Sequence, residues 1–132
     1  MLIMTNKAVV QQIYTDFGQG NVPGILNALH DDIIFDTPGP ALIPWAGVRK
    51  GKAGIMDFFN QVGSTTSYEK FEPQEFMEEG DKVTATGVAH FTTTTTGKKG
   101  VSPWAMVWTI KNGTPVHVLN FWNTYAIAET FI

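Results

Sequence analysis

Residues 31–59 read DDIIFDTPGPALIPWAGVRKGKAGIMDFF, and this segment limits the folds open to the chain. A short apolar run at 33–37 stops at Pro38 and Pro40, because proline brings no N–H to a strand ladder. A Gly-bounded turn, WAGVRKG, then opens a helix predicted from Gly51 to about Val62. Its apolar residues Ile55, Phe58, Phe59 and Val62 fall at i, i+3, i+4 and i+7. Two helical patterns precede the segment. Thr5 is a good N-cap for the first, which carries Val10, Ile13, Tyr14 and Phe17 on one face and stops at Gly18 and Gly20. Asn21 with Pro23 starts the second, whose apolar side is Ile25, Leu26 and Leu29. Four strand-like runs follow, at 68–79, 82–96, 101–111 and 114–125. Glu79-Gly80-Asp81 joins the first two, and Asn112-Gly113 joins the last two as a type I′ hairpin, where two residues must tolerate positive φ. Helices first and a mostly antiparallel sheet last make an α+β fold. Thr92 to Thr96 reads as an extended hairpin arm, since threonine is β-branched and neither face of the run is apolar.

Composition narrows the function classes. With 132 residues, 43% of them hydrophobic, the chain can bury a core as one domain, 1–132. The net charge is −3 and the nine Lys and Arg form no basic stripe, so nucleic acid is not an expected partner. No apolar run reaches the roughly 18 residues that cross a bilayer, and Met1-Leu2-Ile3-Met4 is too short for a secretory h-region. The absence of cysteine excludes disulfides and thiolate chemistry and suits a reducing cytoplasm. His30, His90, His117 and the acids show no HxH or HxxxH spacing, so no metal is expected. His30 ends a helix, where a cation is favourable. Gly47, Gly51 and Gly54 belong to a turn and a helix start, without the GxxxxGK[ST] order of a phosphate loop, and no cofactor is expected.

This order of elements resembles the SnoaL-like branch of the nuclear transport factor 2-like, or ketosteroid-isomerase-like, superfamily. The resemblance covers nearly the whole chain and implies a cone-shaped α+β roll, with three N-terminal helices laid on the concave face of a curved sheet. It implies little about reaction, because that scaffold hosts many chemistries and some plain binding roles. By resemblance to the steroid isomerases, Tyr14 matches their oxyanion-donating tyrosine. Their general-base Asp precedes a Pro at the end of the first strand. Matched on the Pro, Thr37 takes that place and the acid Asp36, one residue off, points to the opposite face; matched on the acid, Asp36 is the base, with a one-residue slip. Their second acid falls near Met106, which cannot donate a proton. The superfamily's epoxide hydrolases use an Arg between two Asp, and those positions match Gly87, Ala89 and Asn123, so that chemistry is not expected.

Strand alternation sorts the remaining candidates. Val83, Ala85, Gly87, Ala89 and Phe91 form one apolar, small face, placed inward, and their size implies a roomy cavity. Trp104, Met106 and Trp108 share a large apolar face. On the last strand Asn120 and Trp122 alternate with Phe121 and Asn123, and period alone does not decide which set is inward. Phe17, Phe35, Thr37, Trp45 and Phe59 complete the expected ligand-binding wall, with Tyr14 and Asp36 as candidate catalytic groups. Thr84, Thr86, Val88 and His90 lie on the convex face, a β-branched, weakly charged surface suited to a homodimer. The expected partner is a small apolar or polycyclic molecule, processed by isomerase- or cyclase-type chemistry. The alternative is a non-catalytic ligand-binding or dimerisation module.

Overall fold

The computed structural model describes residues 4–132, so Met1-Leu2-Ile3 of the short apolar run at 1–4 lie outside the described residues. Helix α1, Asn6–Gly18, begins where the Thr5 hydroxyl accepts the Ala8 N–H at 3.0 Å. Helix α2, Val22–Ala28, begins where Asn21 Oδ1 accepts the Gly24 N–H at 3.1 Å. Strands β1, Ile34–Thr37, and β2, Gly47–Lys50, lead into α3, Gly51–Thr65. Strands β3, Thr66–Glu79, β4, Lys82–Thr93, β5, Lys98–Lys111, and β6, Thr114–Trp122, follow, and helix α4, Thr124–Thr130, ends the order. The sheet runs β2-β1-β6-β5-β4-β3 and is antiparallel except where β1 lies parallel to β6. The expected α+β roll is what forms: a curved, unclosed sheet with α1, α2 and α3 packed over one face.

Two elements differ from the sequence reading. The WAGVRKG turn contains strand β2, which pairs with β1 from Ile34↔Lys50 to Thr37↔Gly47. Only four residues long and on the sheet edge, it lacks the alternation that marks a strand. The last strand stops at Trp122 instead of running through Tyr125, because Asn123 Oδ1 caps α4 by accepting the Ala126 N–H at 3.1 Å. That helix also corrects the threonine arm. Strand β4 ends at Thr93, which is fully buried and hydrogen-bonded to Thr130 at 2.6 Å, while Thr96 donates to the Thr130 carbonyl. The arm is the shelf on which α4 rests.

The faces follow the alternation. Val83, Ala85, Ala89 and Phe91 are buried beneath the helices with Trp104, Met106, Trp108 and Ile110. On β6 the inward residues are Val118 and Asn120, both fully buried, whereas Phe121 is exposed on the other face. An asparagine is tolerated there because its amide is bonded on both sides. Trp122 Nε1–H donates to Asn120 Oδ1 at 2.7 Å, and Asn120 Nδ2–H donates to Thr37 Oγ1 at 3.2 Å.

The small inward face does not leave a roomy space. Gly87 pairs with Trp104 across β4 and β5, and a Cβ at Gly87 would collide with the Trp104 indole and the Glu72 carbonyl oxygen. Trp104 fills the volume that the glycine vacates. Gly87→Ala is therefore expected to cost about 3 kcal/mol or more, at the upper end of overpacking. Gly63→Ala, in α3 with no neighbour near its added methyl, is expected to gain about 0.5–1 kcal/mol. Urea midpoints measured on the two variants check both signs.

Candidate functional site

Between the helices and the sheet lies an apolar cavity of about 70 Å³. Helix α1 contributes Ile13, Tyr14 and Phe17, and α2 with its C-cap contributes Ile25 and Leu29. Helix α3 lays Ile55, Phe58, Phe59 and Val62 across it. The sheet supplies Ile33 and Phe35 around β1, Tyr68 and Phe71 from β3, and Met106 and Trp108 from β5. Two waters would fill it, since each takes roughly 30 Å³ in the liquid. A single benzene ring is taken up by a cavity of roughly 150 Å³, so a ring-sized ligand enters only as wall side chains move aside. Phe17, Phe58 and Phe59 are half-buried and form the yielding part of the wall.

Aromatic packing fixes the opposite part. The Tyr14 ring stacks on Trp104 at 5.5 Å and meets Trp108 edge-on at 5.9 Å. Phe71 stacks on the same Trp104 at 4.9 Å with only 9° between planes. The Trp104 Nε1–H is buried with no acceptor among the described residues, as is that of Trp45. Both indoles are thus held by ring contacts and not by hydrogen bonds. Trp108 is different: its Nε1–H donates to the Tyr14 hydroxyl at 3.2 Å. Burial holds the Tyr14 phenol well above the ordinary tyrosine pKa, an effect that the Trp108 bond only partly offsets. Tyr14 therefore keeps its proton at neutral pH. Accepting the indole N–H polarises that hydroxyl and strengthens it as a donor, yet among the described residues its own proton has no acceptor.

A second phenol shares the cavity. Burial raises the pKa of Tyr68 as well, and its hydroxyl makes no hydrogen bond within the described residues. Alternation could not find it. Strand β3 slips register between Tyr68 and Lys70 and again between Pro73 and Glu75, so Tyr68 and Phe71, three apart, both turn inward.

Of the residues expected at the site, Tyr14, Phe17, Phe35, Phe59, Met106 and Trp108 line the cavity. Others do not. Asp36 pairs with Val48 and Leu119 between the inward residues Phe35 and Thr37, so its carboxylate points to the opposite face and cannot serve as a base in the cavity. Thr37, Asn120 and Trp122 form the buried polar chain at the β1–β6 seam, and Trp45 packs on Trp122 at 5.7 Å and on Phe58 at 6.2 Å, behind the cavity wall. Gly87 and Ala89 are core positions under Trp104 and Ser102, and Trp104 supports Tyr14 from behind. Asn123 is spent on capping α4 and is exposed. Among the described residues no carboxylate, imidazole or amine lines the cavity.

The SnoaL-like domain family matches residues 10–118. The chain belongs to that family. A nuclear transport factor 2-like protein from Burkholderia thailandensis superposes with a TM-score of 0.90 at 23% identity, covering 98% of this chain and 99% of that one. TerC, whose structure was determined co-crystallised with polyporic acid, superposes with a TM-score of 0.83 at 25% identity, covering 96% of this chain and 97% of that one. In sequence, Patulin synthesis protein F from Aspergillus clavatus is 34% identical over 76 residues, or 55% of this chain. The match spans 38% of that relative's length.

The positions matching the epoxide-hydrolase Arg and two Asp hold Gly87, Ala89 and Asn123, and none of the three has a side chain in the cavity. Among the described residues no group of three or more His, Asp or Glu is placed to hold a metal, and no helix is long and apolar enough to cross a membrane. A strap at residues 38–46 packs its buried Ile43 and Trp45 against Val62 of α3, Phe91 and Ile127. Arg49 holds it by donating to the carbonyls of Pro44, Trp45 and Ala46 and by pairing with Asp57 of α3 at 3.0 Å.

Proposed function

We propose that the chain binds a small apolar carbonyl compound in the cavity beneath α1, α2 and α3, with the Tyr14 hydroxyl donating to the carbonyl oxygen. One observation carries this reading: Tyr14, a wall residue of a cavity whose surface is wholly apolar, accepts the Trp108 N–H and donates its own proton to no described residue, so a ligand oxygen meets that hydroxyl as the wall side chains move aside. A buried donor without an acceptor costs free energy that a ligand acceptor recovers. The size of the cavity favours a single ring over a fused one. That TerC was crystallised with polyporic acid supports a small organic ligand for a protein of this shape.

The chemistry such a site can perform is enolisation, as in an isomerase or cyclase. Neutral Tyr14 would stabilise the oxyanion that develops on the carbonyl. With Asp36 on the far face, the proton acceptor would be a water or a group on the substrate itself. A non-catalytic carrier is the second reading, and the absence of any carboxylate or imidazole in the wall favours it.

The ring compound 3,5-dimethylcyclohex-2-enone serves as the probe. Calorimetry is expected to show binding to the wild type and, for Tyr14→Phe, a loss of about fivefold, the worth of one neutral hydrogen bond. If the protein is an enzyme, the same variant should lose roughly 10²–10³ in turnover of its substrate. Equal affinity in both proteins would remove Tyr14 from the site.

We also propose a homodimer through the convex sheet face. Exposed Val101 and Phe121 stand there among Val88, Val107 and Leu119, an apolar and weakly charged patch that suits a two-fold contact. Light scattering at micromolar concentration should give twice 14.5 kDa, and a monomer mass would refute it. A cytoplasmic location is proposed on composition alone, from the absence of cysteine.

A further inference from the structure

Resting on the binding reading above, we infer that the rings of Phe17 and Phe59 are the door of the cavity: a ligand enters through the seam between α1 and α3 as these two side chains swing apart. Most of the wall is buried, but Phe17, Phe58, Phe59, Tyr68 and Phe71 line the cavity and also reach solvent. A side chain that touches both marks where the cavity meets water. Helix α1 packs on α2, β3 and β4, while α3 packs on β1, β2 and β3, and side chains close the seam between the two helices. The Phe17 ring bridges it, stacked on Phe59 at 6.2 Å and tilted against Phe71 at 4.9 Å.

The other three rings at the boundary are held. Tyr68 and Phe71 belong to strand β3, whose backbone is paired along β4, and Phe71 lies flat on Trp104 at 4.9 Å. Phe58 is clamped by Phe35 at 4.6 Å, by Trp45 edge-on at 6.2 Å and by the Arg49 guanidinium 5.8 Å above its ring. Arg49 is itself fixed by the carbonyls of Pro44, Trp45 and Ala46 and by Asp57. Phe17, in contrast, stands in the last turn of α1, next to Gly18, beside which there is open space. Its ring can turn outward without displacing backbone. A door acts on rates and not on affinity, because it is closed in both the free and the bound state, and loosening it speeds entry and exit alike.

The test is stopped-flow tryptophan fluorescence, to which the cavity-lining Trp108 contributes, as 3,5-dimethylcyclohex-2-enone binds. Phe17→Leu and Phe59→Leu should each raise the association and dissociation rates about tenfold while affinity stays within about threefold, as a lowered barrier requires. Ile33→Val removes a similar volume from the fully buried part of the wall. It should act on affinity and leave the association rate within about twofold of the wild type. Arg49→Gln, which frees the clamp on Phe58, should also leave that rate unchanged. Unaltered association rates in both leucine variants would overturn the door while the binding reading stands. So would an equal acceleration in Ile33→Val, a sign of general loosening, or in Arg49→Gln, which would move the entrance to Phe58. Failure of the folded wild type to bind the enone, with folding checked by circular dichroism, would overturn the binding reading itself. Phe17→Met and Phe59→Met carry the same expectation and stand in for a leucine variant that does not fold.

Discussion

The contact between Trp104 and Gly87 sets the rest of the site. A side chain at position 87 would displace the indole, and the indole is the surface on which both Tyr14 and Phe71 stack. Aromatic pairs of this kind contribute about 0.5–1.5 kcal/mol each beyond their buried area. The stack fixes the angle at which α1 crosses the sheet, and so it fixes where the Tyr14 hydroxyl meets Trp108. A missing β-carbon on one strand thereby positions a hydroxyl on a helix.

The cavity that results is electrically neutral, and that limits its chemistry. Its two ionisable groups are phenols held protonated by burial. Charges are kept on the outside of the wall: Arg49 is used to tie the 38–46 strap to α3, and Asp16 is bonded to Gln12 at the α1–α2 turn. Hydrogen-bond donation to a carbonyl is open to this arrangement. Proton abstraction by a side chain is not, since Asp36 lies across the sheet.

Much of this was legible in the sequence where the signals are local. Thr5, Asn21 and Asn112-Gly113 mark their caps and turn as expected, with Asn112 at φ 52° and Gly113 at φ 77°. The inward face of β4 followed from alternation, and so did Met106 and Trp108 as cavity walls, while Tyr14 followed from the apolar face of the first helix and the family resemblance. What escaped depended on contacts distant along the chain. The volume above Gly87 looks empty in one strand and is filled by the next. Bulges in β3 turn Tyr68 and Phe71 to the same side, which a period of two forbids. Asn123 reads as part of the last strand, and its role as the cap of α4 appears only once that helix docks on Thr93.

Infrared spectroscopy of a bound carbonyl is the most direct measurement of the central claim, that an unspent Tyr14 proton awaits a ligand oxygen. With 13C-labelled enone carbonyl, the stretch of the bound probe should lie below its frequency in hexane, as a polarised hydroxyl donates to it. In Tyr14→Phe the band should return toward the hexane value while the probe stays bound. A bound carbonyl whose frequency is the same in both proteins would contradict the account, because the oxygen would then be elsewhere.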